Sequence, residues 1–381
     1  MNQSFLTSFF GIPTMWKPES KTLALGLILL LFSSLYSAVK VSEGAGSILR
    51  KTDKILTQVE EIRGLEFKEK PTIVVISKTT ALEMWKPGKP DLERLRREEL
   101  VYKMTLLLPP DYEYIKEESE RSAGWIAATV GDTIYIIEEN FMADPDTARR
   151  TIAHESVHVL QKQWFNAKYG ADTFDGTLAI QALIEGDADL VADIYCERNG
   201  IPIHKIRSLS GDPLTDIHIF PYVFGDSFVR YLYEKGNWTL VNRAYERYPE
   251  TTLQVMVPEY YLENRKPKNV TVEVPENWSI LRNDRMGAFY LYVLMRDVAK
   301  LDNDTAWNVS TSWMGDRLIL ANNGTDYVIL WKVEFEDEKA AELFAETLEK
   351  LADGNTYATF EIIRDDNVVT LKAVRRVRVE A

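Results

Sequence analysis

From Leu23 to Val39 the chain is apolar on every side and uncharged, and Lys17 and Lys21 stand just before it. Such a run predicts a signal-peptide core or a short membrane anchor. The bulky Tyr36 before Ala38 suits cleavage poorly, which favours the anchor. Beyond it the period changes. Ile48, Ile55, Val59 and Ile62 recur at helical spacing among charges, predicting an exposed amphipathic helix or stalk within residues 40–70. The β-branched run from Thr72 to Ser77 predicts a strand, and Asp91 to Leu108 a helix ended by Pro109 and Pro110. Two strand-like pieces, Trp125–Ala127 and Thr133–Ile137, flank a Gly131-Asp132 hairpin turn. Asp144 as N-cap and Pro145 in the first turn open a helix to about Phe165. A second helix, from about Thr177 to Arg198, is closed by Asn199-Gly200. Residues 221–300 read as largely helical. Alternating strands at Arg317–Leu320 and Tyr327–Glu334, a charged amphipathic helix at Asp337–Ala352 and a hairpin around Asp365–Asn367 complete the chain.

The pattern therefore predicts an α+β protein. A small sheet precedes the first long helix, a mostly helical lobe follows it, and an α+β segment ends the chain. The expected division is a tail at 1–22, the anchor or signal at 23–39, the stalk at 40–70, a main domain at 71–300 and the last segment at 301–381.

Composition narrows the chemistry. The 45 Lys and Arg residues stand against 58 Asp and Glu in 381 residues, a formal net charge of -13. A chain this acidic has no surplus to neutralise phosphates, so no nucleic-acid partner is expected. The single Cys196 excludes an internal disulfide and a Cys-based zinc site. Any metal site must draw on carboxylates and four His residues. Asn-x-Ser/Thr sequons at Asn2, Asn237, Asn269, Asn277, Asn303, Asn308 and Asn323 read as a glycosylated surface. With the anchor, they predict a membrane-attached body outside the cytoplasm, secreted if the N-terminal segment is cleaved.

Two of the four His residues lie in His154-Glu155-Ser156-Val157-His158, an H-E-x-x-H sequence inside the first long helix. Four residues make about one helical turn, so both imidazoles reach one Zn²⁺ from the same face. Glu155 lies about 100° around the helix from His154, where a carboxylate can take a proton from zinc-bound water. A catalytic zinc keeps three protein ligands and one open position. The best third ligand is Glu185, in Glu185-Gly186-Asp187-Ala188-Asp189 on the second helix. Asp189, one turn on, can accept from a ligand imidazole and fix its tautomer. Asp187 points elsewhere and reads as surface. His204, after Pro202 in a turn, and His218, in a strand-like piece, are rival third ligands.

H-E-x-x-H followed by a helix with E-x-x-x-D resembles the gluzincin class of zinc metallopeptidases. More narrowly, the chain resembles a family of membrane-anchored or secreted gluzincin-like proteins of bacteria and archaea. The matching stretches are 123–139, 152–165, 182–191, 220–261, 312–320 and 333–348, most of residues 55–350. The resemblance implies a gluzincin-like catalytic domain, zinc ligands His154, His158 and Glu185, and Glu155 as general base. One departure is Val257, which stands before Pro258-Glu259 where the family carries His.

The expected function is zinc-dependent hydrolysis of a peptide or protein substrate. Tyr222, Tyr260 and Tyr261 are candidates to steady the oxyanion. The strand Thr133–Ile137 is expected at a sheet edge, where an extended peptide can pair with it. The competing readings are a non-catalytic surface protein in which zinc only ties two helices together, and a metal hydrolase of another bond.

Overall fold

The computed structural model describes residues 43–85, 91–120 and 127–376. The apolar segment 23–39 lies outside them. Among the described residues no helix is long and apolar enough to cross a membrane. The single-pass anchor, the membrane partner and the extracytoplasmic placement that rested on them are corrected to this: no described helix supports a membrane span. Every long described helix carries charges along its length, as in the first, which holds Arg50, Lys51, Asp53 and Lys54.

The chain opens with α1 (Glu43–Arg63), β1 (Thr72–Ile76), α2 (Lys78–Met84), α3 (Leu92–Met104) and α4 (Tyr114–Glu120). The hairpin β2 (Ala127–Val130) and β3 (Thr133–Ile137) follows, then α5 (Glu138–Ala143) and the two long helices α6 (Pro145–Phe165) and α7 (Phe174–Asn199). Next come α8 (Pro213–Ala244), the short α9 (Thr252–Met256) and α10 (Pro258–Leu262), then β4 (Ser279–Asp284) and α11 (Gly287–Val293). A π-helical turn (Leu294–Val298) extends α11, and α12 (Asn303–Thr311) precedes the hairpin of β5 (Trp313–Asn322) and β6 (Asp326–Phe335). The last elements are α13 (Glu338–Ala352), β7 (Thr359–Asp365) and β8 (Val368–Arg376).

Aspartates mark the helix starts, because a carboxylate satisfies amide groups that have no partner within the helix. Asp144 accepts from the Thr147 amide at 3.1 Å and Asp212 from Thr215 at 2.8 Å. Asp302 and Asp337 do the same for α12 and α13.

The chain forms two compact units, each assembled from separate stretches. Among the described residues, the first holds 43–85, 127–167 and 188–205. Its sheet has the order β1-β3-β2, with β1 parallel and β2 antiparallel to β3. Thr133–Ile137 is thus the central strand, not an edge. The β-branched and apolar Ile134, Ile136 and Ile137 are buried, as a strand paired on both sides requires. The hairpin turn is Gly131-Asp132, and Gly131 takes a φ of 68°, which glycine reaches without steric cost. The stripe of α1 is buried rather than exposed: Ile48, Ile55, Val59 and Ile62 are all inside, and the helix packs against α6. It is a core helix, not a stalk.

The second unit holds, among the described residues, 91–120, 168–187 and 206–376. Its sheet is antiparallel throughout, in the order β4-β5-β6-β8-β7, and α13 packs across β6, β7 and β8. His218 lies inside α8, not in a strand. Helix α7 is continuous, and its first half belongs to the second unit and its second half to the first.

Candidate metal centre

His154 and His158 lie one turn apart on α6, with ring centroids 4.9 Å apart and planes at 83°. They are buried, as is Glu185 on α7, and one ligand atom from each of the three falls within 4.8 Å of the others. This group could hold a metal ion. His204 is exposed, and His218 turns Nδ1 to the Leu214 carbonyl of its own helix at 2.5 Å. Neither rival belongs to the group.

Each imidazole is anchored at Nδ1. His154 Nδ1 lies 3.1 Å from Asp189 Oδ1, and His158 Nδ1 lies 2.9 Å from Gln161 Oε1. An imidazole that donates from Nδ1 to an oxygen keeps its Nε2 lone pair for a metal. The donor set of two imidazoles and one carboxylate, each imidazole supported from behind, suits a divalent metal ion. Gln161 was missed in the sequence. Its position three residues after His158, on the same helical face, is the signal that marks it.

Asp189 is buried, and burial alone would raise its carboxyl. The hydrogen bond from His154, together with the charges of Arg150 and Lys205, outweighs that and holds it below the ordinary carboxylate range. Asp187 is not at the surface. It is fully buried and accepts from the Tyr245 hydroxyl at 2.7 Å.

Glu155 is half-buried. Its main-chain carbonyl accepts from Thr129 Oγ1 at 3.0 Å, which ties α6 to β2. Since β3 is central, β2 is the edge strand on that side among the described residues.

The position of Glu185 is set by the residue after it. A Cβ on Gly186 would come within 2.0 Å of the Gly225 carbonyl oxygen on α8, and one on Gly225 within 2.3 Å of the Ala182 carbonyl oxygen. The two helices therefore touch backbone to backbone, beside the carboxylate. This accounts for both glycines by the closeness of the two backbones.

Among the oxyanion candidates, Tyr261 packs on Phe228 and donates to the Arg247 carbonyl at 2.8 Å, a core role. The Arg265 guanidinium lies over Tyr260. Tyr222 is half-buried on α8, one turn before Gly225.

Two family models match parts of the chain. One, described as "eCIS core domain", covers residues 115–164, and so the β2–β3 hairpin and nearly all of α6 with His154, Glu155, His158 and Gln161. The other, described as "Domain of unknown function (DUF8575)", covers residues 278–380, and so the five-stranded sheet. No curated protein and no solved structure matches the chain. Neither matching description names a peptidase.

Proposed function

We propose that the chain is a zinc-dependent hydrolase of peptide bonds of the gluzincin type. The buried His154, His158 and Glu185 group carries this reading. Three protein ligands are the number a catalytic zinc uses, whereas a structural zinc recruits a fourth. When bound, zinc supplies Lewis acidity and can lower the pKa of a water from about 15.7 toward about 7.

The chain's own residues supply the rest. His154, His158 and Glu185 would hold the ion. Asp189 and Gln161 keep both imidazoles in the tautomer that leaves Nε2 to bind. Glu155 follows His154 directly and is neither a member of the ligand group nor sealed in the core. Its carboxylate accepts the proton of the attacking water and returns it to the leaving amine, a general acid–base contribution of about 10²–10⁴-fold. The edge of β2, held on α6 through Thr129, offers main-chain groups to an extended peptide.

The test separates these roles. Glu155→Gln is expected to retain zinc and to lose at least about 10²-fold of cleavage of an unfolded protein substrate. Full activity in that variant would remove Glu155 as general base. Glu185→Ala is expected to lower the zinc stoichiometry, and unchanged stoichiometry would place the third ligand elsewhere.

A further inference from the structure

His154 Nδ1 is held by a carboxylate oxygen, and that oxygen is itself held. Asp189 Oδ1 accepts from Arg150 at 2.7 Å while lying 3.1 Å from His154 Nδ1. Arg150 sits one helical turn before His154 on α6, so both side chains leave the same face. The same guanidinium reaches Asp193 Oδ1, through Nε at 3.2 Å and a terminal nitrogen at 2.8 Å. Lys205 closes the cluster by donating to Asp193 Oδ2 at 2.5 Å. All four charged side chains are at most 9% exposed. Two carboxylates one turn apart on α7 thus meet two cations where an unpaired charge would be costly.

Resting on the metal-site reading above, we propose that Arg150 is a positioning residue of that site, fixing Asp189 Oδ1 for His154 and thereby setting how tightly His154 holds the ion. The geometry requires arginine. A planar guanidinium presents several N–H groups in a fixed fork and spans carboxylates on successive turns of α7. A lysine ammonium carries the same charge without the fork. The shared oxygen has a second effect. Density that Asp189 Oδ1 gives to the guanidinium is withheld from His154 Nδ1–H, so the imidazole is oriented without being driven toward imidazolate. Arg150 belongs to no step of hydrolysis, so its influence must appear in metal binding before turnover.

The experiment uses the full chain with Arg150→Lys, and with Arg149→Lys as control. Arg149 is the neighbouring arginine and pairs with Asp146 on its own helix, away from the cluster. Zinc affinity is read by competition with a chromophoric chelator, the His environment by the visible absorption of the Co²⁺-loaded protein, and folding by thermal unfolding of the metal-free protein. Arg150→Lys is expected to weaken zinc about 10–100-fold and to change the cobalt spectrum, while Arg149→Lys does neither. A lowered melting temperature with zinc affinity and cobalt spectrum intact would mean a purely structural role and overturn the proposal. If Arg150→Lys does not fold, Asp193→Asn releases one arm of the guanidinium, and unchanged zinc affinity in that variant overturns the proposal equally. Wild type that binds neither Zn²⁺ nor Co²⁺ would defeat the metal reading, and this inference with it. Wild type that binds tightly, with Arg150→Lys equal to it, defeats this inference alone.

Discussion

Gly186 decides where Glu185 stands. With no Cβ, it lets the carbonyl of Gly225 approach until the two helix backbones are in contact. The obstacle to any larger residue is main chain rather than a side chain that can turn away, so α8 itself must move. Gly186→Ala is expected to destabilise the fold by about 1–3 kcal/mol or more. It should also weaken metal binding, because forcing α7 and α8 apart at Gly186 shifts Glu185, the adjoining residue on α7. Thermal unfolding and chelator competition on the variant check both effects, and a melting temperature equal to wild type would show that the helices can part without cost. At this scale the sequence was informative about candidate ligands and mute about their supports. Helix geometry alone places His154 with His158 on one face, and Glu185 with Asp189 on another. Gln161, Arg150 and the burial of Asp187 under Tyr245 depend on which helix faces which. A charged residue within a helix reads as solvated surface until a partner from elsewhere in the chain is known to cover it.

Among the elements, the junction of β4 and α11 shows how polar groups are used inside the second unit. Asp316 on β5 accepts four N–H groups: the amides of Met286 and Gly287 at 2.8 and 2.9 Å, and the indoles of Trp313 and Trp331 at 3.0 Å each. Burial pushes its carboxyl up to about 6, against those hydrogen bonds. Asp175 binds the Thr252 amide and hydroxyl with one oxygen and Arg285 with the other. Gly287, with a φ of 81°, passes so close to Asp175 that a Cβ would lie 1.9 Å from its Oδ1. Asp316→Asn would turn an NH₂ group toward two of the four donors. It is expected to cost about 2–4 kcal/mol, read as a lowered urea midpoint at constant slope. A midpoint equal to wild type would show that the cage tolerates an amide. The sequence did not reveal β4. Its burial runs exposed at Ser279, Ile280 and Leu281, with a register shift in its pairing to β5 between Ile280 and Arg282. No alternation survives for a pattern to detect. The helices with Asp caps and the β5–β6 and β7–β8 hairpins were legible, because their signals lie within a few residues of each other.

Over the whole molecule, the net charge of -13 hides a smaller set of buried carboxylates whose protonation bears on folding. Burial, and then the neighbouring Asp216, push Asp297 up to about 6 in spite of Arg296. Asp316 lies at a similar level. A carboxyl raised in the folded state binds protons at pH values where the unfolded chain has released them. Its contribution to stability is therefore largest in acid and declines as pH rises from about 4 to about 6, by at most about 1.4 kcal/mol per pH unit per group. Asp189, held below the ordinary range, has the opposite sign, and its contribution is lost only in strong acid. Asn at 297 resembles the protonated carboxyl, so Asp297→Asn is expected to be more stable than wild type at pH 7, with the gap closing toward pH 4. Urea titrations at the two pH values check this, and a gap independent of pH would contradict it. What the sequence determined by itself is local: helix starts and stops, two hairpin turns, and a ligand pattern that one turn of helix places on one face. Tertiary structure alone decided that β3 is central and β2 the edge, that α1 is core, and that Glu185 joins the two His residues. It also decided that one arginine braces the carboxylate behind His154. These outcomes depend on which distant segments meet, and hydrophobic period, capping and spacing describe a segment only against its own neighbours.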